Sequence, residues 1–343
     1  MSEAGGVARH VTDVVRHGIP GWRVVTLCPP GPLAERLRAD GAAVLSTPFG
    51  PEAGLRVSGA AVRHAMARLR PALVHSHLAY ADLVCALASP PGTTLLSTEH
   101  GISGDPSLYH SGAVQQCGMA AAHSARMRRL AALIAVSRST ADVVRARWSP
   151  PTSLPIHVVH NGVDPLTDPA AVRPGLRIGS LSRLAPEKNL GLLLEAFARL
   201  HRTHPEATLA LAGTGPEEGR LRERAAALGL SGGPVTFEGH VEAGEFLRRV
   251  DVVAQLSTWE NHSYTLLDAV NHGLGVVATD VGGNPEIVGP GSLIPVASSP
   301  EQIAHLMVSQ GLGLSVRPAR SEHTSTVKDM TGQLADIYTG LRP

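Results

Sequence analysis

Two carboxylates and two cations stand in this chain where apolar segments give way to loops. Glu260 and Asp268 are separated by eight positions, and an apolar run continues beyond them to residue 279. Arg183 and Lys188 follow another apolar segment at 176–182. Cations bind phosphate groups, whereas carboxylates accept hydrogen bonds from hydroxyl groups. The four side chains therefore predict a site for a phosphorylated molecule that also carries sugar hydroxyls.

The elements that must position these side chains follow from the hydrophobic pattern. Short β-branched runs alternate with helical patterns, which is typical of βαβ units and parallel sheets buried on both faces. One helical pattern lies at 189–201, where the leucines and Phe197 share one face. We predict two doubly wound domains joined around residues 160–175 and facing a cleft. The predicted strands are 23–27, 42–46, 72–77, 93–99, 132–137, 156–160, 176–182, 208–213, 235–239, 251–257 and 275–280.

Ligands of doubly wound sheets bind beyond the carboxyl ends of the strands. Four loops of the second half lie there: 183–189, 213–216, 260–263 and 282–286. We expect Asn189 to cap the helix after it, and Gly213 and Gly215 to expose backbone N–H groups beside a helix start. Helix N-termini favour anions. Together with the two cations, these loops predict a diphosphate site.

Composition excludes several classes of protein. Lys and Arg number 30 against 29 Asp and Glu, a formal net charge of +1, and aromatic residues make up 3%. Nucleic-acid binding needs clustered cations or stacking platforms, so we expect no nucleic-acid partner. Cys28, Cys85 and Cys117 have no metal-ligand spacing and suit a reducing compartment. With no secretory pattern at the start and no long apolar run, the expectation is a soluble cytoplasmic protein.

Several stretches together resemble one family. In the second half these are SLSRLAPEKNLGLLLEAF, LALAGTGPEEGRL, VTFEGHV and WENHSYTLLDAVNHGLGVVATDVGGNPEIV; in the first half they are GGVARHV, TEHGISGD, LIAVSRSTADVV and HVVHNGVD. They resemble glycosyltransferase family 4. The resemblance implies an α/β protein of the GT-B fold class with two Rossmann-like domains. We place these at 1–163 and 164–325, with a helix at 326–343 that returns to the first domain.

What the resemblance implies for single residues follows the matched motifs. Arg183 and Lys188 would stabilise the leaving diphosphate, an electrostatic contribution that is usually large. Glu260 would contact the transferred sugar, Asp268 the nucleotide ribose, and His100 the donor sugar near the reacting centre. Further donor-binding residues would be Gly5, Gly6, Gly213, Gly215, Ser263, Tyr264 and Thr265.

The implied activity is transfer of a sugar from a nucleotide-diphosphate sugar with retention of anomeric configuration. The resemblance favours a UDP-sugar as donor, with a GDP-sugar as second choice, and requires neither a cofactor nor a metal. The acceptor would be a glycan, a lipid-linked molecule or a small natural product. We expect loops such as 101–110 to select it.

The chain departs from the family pattern at three places. Asp268 stands where the family has Glu, and Asn261-His262-Ser263 replaces a glycine- and aromatic-rich loop. Gly5 and Gly6 follow Met1 almost directly, so the first strand of the first domain is expected to be missing. An altered first domain leaves a second hypothesis open, in which the protein binds a nucleotide sugar or a partner without turnover.

Other interpretations are weaker. An oxidoreductase is disfavoured because no G-x-G-x-x-G follows a first strand, and a sugar phosphorylase because Asp268 is assigned to a ribose. His75 and His77 share one face of a strand as metal ligands do, but without a third ligand nearby in sequence we favour packing. The basic cluster 126–129 is expected on a solvated helix face, with weak attraction to an anionic membrane as the alternative.

Overall fold

The computed structural model describes residues 5–101, 122–168, 171–230, 232–321 and 324–342. They form two compact units. The first comprises residues 1–164 together with 325–343, and the second comprises residues 165–324. The loop 101–110, which we expect to select the acceptor, lies almost wholly outside the described residues, as does Cys117.

The first unit alternates helices and short parallel strands. Its helices are α1 (Gly6–His17), α2 (Pro32–Ala39), α3 (Gly54–Leu69), α4 (Ala79–Ala88), α5 (Arg138–Trp148) and α11 (Val327–Gly340). Its strands are β1 (Val25–Cys28), β2 (Ala43–Ser46), β3 (Val74–His77), β4 (Leu95–Glu99), β5 (Ala132–Ala135) and β6 (Ile156–Val158). β4 and β5 are buried along their whole length, as expected for central strands of a parallel sheet.

The strands of the first unit fall into two sheets. β3, β4, β5 and β6 pair in that order, whereas β1 and β2 pair, among the described residues, with each other. Among the described strands of this unit, no pairing joins the two sheets. Val25 of β1 and Leu45 of β2 are exposed, which reflects the small number of partners that the two-stranded sheet has.

α11 completes the core of the first unit. Its residues Met330 and Leu334 are buried against Leu96 of β4 and Ile134 of β5. The helix begins with a capping box in which Thr326 and Asp329 each satisfy the other's backbone N–H. The end of the chain is therefore built into the same core as its beginning.

The second unit is one parallel six-stranded sheet with strand order β12-β11-β10-β7-β8-β9. The strands are β7 (Arg177–Leu181), β8 (Thr208–Ala212), β9 (Val235–Gly239), β10 (Val252–Gln255), β11 (Gly275–Thr279) and β12 (Leu293–Ile294). The helices are α6 (Leu190–Thr203), α7 (Glu218–Ala227), α8 (Ala243–Leu247), α9 (Tyr264–Asn271) and α10 (Pro300–Leu312). All pairings in this sheet are parallel.

Burial follows the sequence pattern closely in α6. The side chains of Leu193, Leu194 and Phe197 are at most 1% exposed and pack in one core with β7, β8 and β10. Helical spacing in the sequence indicated this apolar face. Asn189 does take the N-cap position of α6, but in a left-handed conformation without a side-chain capping bond. The expectation that its side chain caps the helix is therefore wrong.

Two further features of the described residues bear on the sequence predictions. None of the described helices is long and apolar enough to cross a membrane. Arg126, expected on a solvated face, is instead fully buried, and Arg129 donates hydrogen bonds to the carbonyls of Ala86 and Ser89. The interpretation of the basic cluster as a solvated face is therefore wrong for Arg126.

Candidate active site

The loop after β7 holds the two predicted cations, each beside a glutamate. The guanidinium of Arg183 is 65% exposed and pairs with the carboxylate of Glu187. Lys188 is the last residue of a 3-10 turn over Pro186–Lys188, and its side chain pairs with Glu260. Glu187 escaped the sequence prediction because a lone acid in an exposed loop carries no distinguishing pattern.

Lys188 and Glu260 form an ion pair between the loops that follow β7 and β10. Their side chains are 20% and 13% exposed, and the hydroxyl of Ser257 donates a second hydrogen bond, of 2.7 Å, to the same oxygen of Glu260. The N–H of Thr258 donates to the carbonyl of Glu187 at 2.8 Å, which ties the two loops together. The structure thus brings the first predicted acid to the second predicted cation.

Beneath this ion pair lies a buried network of neutral polar groups. The amide of Asn284 donates to the carbonyl of Thr279, whose hydroxyl donates to the carbonyl of Ser257. Ser263 donates to Gln255 at 2.8 Å, and Gln255 donates to Asn284. A satisfied network of this kind holds a loop rigidly in low dielectric surroundings. Its members are buried polar residues in otherwise apolar strands, a signal that the sequence did contain.

Glycines allow the loops to approach one another closely. Gly282 has φ +54° and lies so near the carbonyl of Glu260 that an added Cβ would overlap it. Gly213 and Gly215 lie equally close to the carbonyls of Ser182 and Leu184. The N–H of Gly213 donates to the carbonyl of Gly239 at 2.6 Å, so the expectation that this N–H is exposed for a ligand is wrong.

α9 begins directly after the acid-bearing loop. Ser263 is its N-cap, and its hydroxyl accepts from the N–H of Leu266. The hydroxyl of Thr265 donates to the carbonyl of Leu181 at 3.3 Å, and the ring of Tyr264 is buried. These contacts stabilise the loop. As at any helix start, the first backbone N–H groups of α9 have no hydrogen-bond acceptor within the helix. Asp268 follows one turn later, partly buried, and its ribose role stays a prediction.

In the first unit, the predicted site residues lie at one end of the four-stranded sheet. Gly5 has φ +152° and precedes α1, of which Gly6 is the first residue. His100 directly follows β4, and its ring contacts those of His77, at the end of β3, and of His10, in α1. The sequence prediction missed His10 because a single histidine in an amphipathic helix shows no ligand spacing.

Behind the histidines, Arg126 is buried between two acids. Its side chain is 0% exposed and pairs with Asp82 and Glu99. Burial raises the pKa of Glu99 to about 7, although the guanidinium of Arg126 opposes the shift. Asp82 also has a raised pKa through burial, again opposed by Arg126. Buried ion pairs of this kind hold one arrangement because each charge needs its partner.

Two family descriptions match the chain one after the other. Residues 4–165 match Glycosyltransferase Family 4, and residues 175–309 match Glycosyl transferases group 1. The first match covers the glycine start of α1 and the histidines, and the second covers Arg183, Lys188, Glu260 and Asp268.

Curated relatives and solved structures agree with these matches. The chain is 31% identical over 246 residues to a glycogen synthase of Mycobacterium tuberculosis, covering 69% of this chain and 58% of the relative. It is 33% identical over 141 residues to the GtfA subunit of the UDP-N-acetylglucosamine–peptide N-acetylglucosaminyltransferase of Streptococcus gordonii, covering 40% of this chain and 28% of the relative. The chain thus spans between 28% and 58% of the length of these relatives.

Among solved structures, Anabaena HepE in complex with UDP superposes with a TM-score of 0.80 at 21% identity, covering 98% of this chain and 96% of that one. At this identity the likeness shows the fold, and it extends over both units. With the two consecutive family matches, it follows that the chain belongs to the family 4 type of glycosyltransferases of the GT-B fold class.

Proposed function

We propose that the protein transfers a sugar from a nucleotide-diphosphate sugar to a hydroxyl group of its acceptor, with retention of anomeric configuration. The observation that carries the proposal is the Lys188–Glu260 ion pair at the carboxyl end of the second sheet. It joins a cation suited to phosphate and an acid suited to sugar hydroxyls within one pair of tethered loops.

Binding of a diphosphate changes the partners of both cations. Arg183 and Lys188 now neutralise glutamates. The pair that contains the exposed Arg183 is worth only about 0–1 kcal/mol, whereas the Lys188–Glu260 pair is less exposed. A diphosphate carries more charge than one carboxylate, so it can displace Glu187 and Glu260 from the two cations. Glu260 is then released to accept a hydrogen bond from the sugar, and the cations stabilise the charge that develops as the nucleotide leaves.

In a retaining reaction of this type, the leaving phosphate itself would help to remove the acceptor proton on the same face of the sugar. No second carboxylate needs to act as nucleophile. We therefore assign Glu260 to sugar binding, Asp268 to the ribose and His100 to the donor sugar. Gly5 and Gly6 are assigned to the phosphates. No metal ion or cofactor is needed in this scheme, so transfer is expected to survive treatment with EDTA.

The names of relatives support a UDP-sugar as the first donor to test. The streptococcal relative is named for UDP-N-acetylglucosamine, and the Anabaena structure contains UDP. A GDP-sugar is the second donor. The acceptor stays open between a glycan, a lipid-linked molecule and a small molecule, because the streptococcal relative is named for a peptide and the mycobacterial one for glycogen. Weak peripheral membrane contact remains a prediction to which buried Arg126 cannot contribute.

One observation favours a second candidate, a protein that binds a nucleotide sugar or a partner without turnover. The described strands of the first unit form two sheets instead of one. Because the second unit is one complete sheet, nucleotide binding would survive even where the first unit does not support transfer.

The deciding experiment compares Lys188→Ala with Lys328→Ala, an exposed lysine of α11. Binding of UDP is measured by calorimetry, and transfer or slow hydrolysis is measured over a panel of UDP- and GDP-sugars. We expect Lys188→Ala to lower turnover by at least about 100-fold, the usual effect of removing one electrostatic stabiliser. Lys328→Ala is expected to behave like the unchanged protein. The anomeric configuration of the product is read by NMR.

Binding of UDP without turnover of any sugar nucleotide would support the second candidate. Near-normal turnover by Lys188→Ala would refute the assigned role of the lysine, and an inverted product would refute retention.

A further inference from the structure

His100 shares a hydrogen bond with a second histidine of the first unit. His77 is the last residue of β3, and His100 directly follows β4, the strand that pairs with β3. The register places His77 opposite Thr98, two residues before His100. Nδ1 of His77 lies 2.8 Å from Nε2 of His100, and the ring centroids are 5.1 Å apart. The pairing of two parallel strands therefore brings the two rings together.

A hydrogen bond between two neutral imidazoles fixes the tautomer of both. Burial, followed by the charges of neighbouring histidines, lowers the pKa of His77 and of His100 well below the ordinary value, so both rings are neutral at pH 7. One nitrogen of the shared bond must carry the proton and the other the lone pair. The two rings therefore have the same tautomer: both carry the proton on Nδ1, or both carry it on Nε2.

The shared bond also decides which atom of His100 a ligand can meet. Nε2 of His100 is used by His77, which leaves Nδ1 as the second ring nitrogen. The side chain of His100 is partly exposed. Because the proton at the shared bond determines whether Nδ1 of His100 is a donor or an acceptor, His77 controls the hydrogen bond that His100 can form with a ligand.

His75 holds the ring of His77 by packing. The two ring centroids are 4.3 Å apart, with an angle of 32° between the ring planes. Both nitrogens of His75 are already used: Nε2 lies 2.7 Å from the hydroxyl of Thr98, and Nδ1 lies 2.5 Å from that of Tyr338. His75 therefore restricts the orientation of His77 without changing its tautomer.

His10 restricts His100 in the same way. Its ring meets that of His100 edge-on, at 4.7 Å between centroids and 75° between planes. Nδ1 of His10 lies 3.1 Å from the side-chain oxygen of Asn161, and among the described residues Nε2 of His10 has no hydrogen-bond partner. Since His10 packs on His100 and does not bond to it, the hydrogen bond that sets the state of His100 is the one from His77.

The backbone after His77 is also unusual. Leu78 has φ +78° and ψ 142°, a conformation that residues with a Cβ rarely adopt. Such strain persists only where the surrounding structure holds the chain, and it is frequent beside functional groups. The strained residue lies between His77 and the first residue of α4, so the turn that carries His77 is held in one conformation.

We propose that His77 is a positioning residue for donor binding, which fixes the tautomer and orientation of His100 so that Nδ1 of His100 meets a hydroxyl of the transferred sugar. The role of His100 rests on the proposed function, whereas its tautomer is a property of the protein without ligand. A ring that is fixed in advance spares the sugar the cost of selecting one tautomer and one orientation on binding.

The first test reads the tautomers in the full chain without ligand, by NMR of ¹⁵N-labelled histidine rings. We expect His77 and His100 to show the same single tautomer, with a scalar coupling across the hydrogen bond between Nδ1 of His77 and Nε2 of His100. The resonances of His100 are assigned with His100→Gln. Different tautomers in the two rings would overturn the proposal, as would rapid exchange of His100 between both forms.

The second test compares two variants of His77. His77→Leu removes the hydrogen bond, whereas His77→Asn keeps polar atoms near the position of Nδ1. Both lose the ring that packs on His75, so a purely structural role would affect them alike. We expect His77→Leu to leave His100 as a mixture of tautomers and to lower kcat/KM for the donor by about 10–100-fold, the range that a misplaced contacting group can cost. His77→Asn should recover most of both properties.

His64→Leu, at an exposed position of α3, is the control and should change neither the tautomer of His100 nor turnover. Equal loss of activity in His77→Leu and His77→Asn would refute positioning through the hydrogen bond. Normal kinetics in His77→Leu, with a changed tautomer, would refute a role in donor binding. If the unchanged protein turns over no sugar nucleotide, the proposed transfer fails; calorimetry of sugar-nucleotide binding by the same variants then replaces kcat/KM, and the tautomer measurement still decides whether His77 fixes His100.

Discussion

The carboxyl ends of the two principal sheets differ in how they treat charge. In the first unit, four imidazoles are kept neutral by burial, and the charged groups behind them are locked in the Arg126 ion pairs. In the second unit, Arg183 and Lys188 form ion pairs with their glutamates in partial contact with water. The same topological edge thus has two kinds of surroundings: buried neutral rings in the first unit, and partly exposed ion pairs in the second.

The largest effect on this difference between the units is expected from removal of the buried guanidinium of Arg126. Arg126→Met should destabilise the first unit by about 3–5 kcal/mol, because Asp82 and Glu99 lose their partner while still buried. Urea unfolding followed by hydrogen exchange of β4 and β5 measures the loss. The control is Arg145→Met, an exposed pair with Asp142, whose effect should stay below about 1 kcal/mol. Equal effects of the two variants would contradict the buried pairing.

The next largest effect should come from the loop contact in the second unit. Gly282→Ala adds a Cβ that overlaps the carbonyl of Glu260 and requires φ +54°, so we expect destabilisation by about 1–3 kcal/mol. Displacement of Glu260 should also lower transfer. Gly289→Ala, where an added Cβ meets nothing within 4 Å, should be nearly neutral in both assays. Thermal unfolding and turnover are measured for both variants, and equal effects of the two would contradict the close contact at Gly282.

Lowering the pH should destabilise the first unit more than the second. Burial lowers the pKa of His10 to about 4 and that of His75 to about 3, and unfolded histidine titrates near 6.5. Between pH 6.5 and 4 these histidines bind more protons in the unfolded chain, so they make the first unit lose stability as the pH falls, by about 1.4 kcal/mol per unit of pKa shift. Glu99, whose pKa is raised to about 7 by burial, and Asp82, whose pKa is also raised by burial, act in the opposite sense. They are two groups against four histidines with lowered pKa values.

Hydrogen exchange at pH 7 and at pH 5 measures this effect unit by unit. We expect protection in β4 and β5 to fall at the lower pH, and protection in β7 and β10 to change less. A larger loss in the second unit would contradict the assignment of neutral histidines to the first.

The smallest effect on stability is expected at the exposed Arg183–Glu187 pair. Glu187→Gln should change the free energy of unfolding by less than about 1 kcal/mol, since Arg183 is 65% exposed. The same change should strengthen UDP binding slightly, because the diphosphate no longer displaces a charged competitor. Calorimetry of UDP binding tests this expectation. The control is Glu195→Gln, which removes the acid that pairs with Arg224. Weaker UDP binding by Glu187→Gln would argue against partner exchange.

Sequence reasoning succeeded where the pattern is local. All eleven predicted strands overlap strands of the structure, because apolar runs between turn residues are a strong signal. β12, Leu293–Ile294, was missed because two residues are too few to show a period. The resemblance located the charged loops, but their roles in donor binding stay predictions.

The failures concern contacts between distant residues. The pairing of Lys188 with Glu260 depends on how two loops meet in the folded sheet, which no spacing encodes. His10, His77 and His100 lie far apart in the sequence and meet only in the folded unit, so no local sequence pattern shows their contact. Arg126 was misplaced because an arginine in a basic cluster is usually solvated, and its buried acids come from two other segments.

The Lys188–Glu260 pair also has a consequence for selectivity among anions. A lysine that is already paired with a carboxylate attracts other anions weakly, and an incoming anion would have to compete with that tethered carboxylate. Inorganic phosphate alone would not replace the hydrogen bonds that Glu260 loses on displacement. A molecule that also offers hydroxyl groups to the displaced acid would recover part of that cost, so we expect the ion pair to favour such molecules over simple anions.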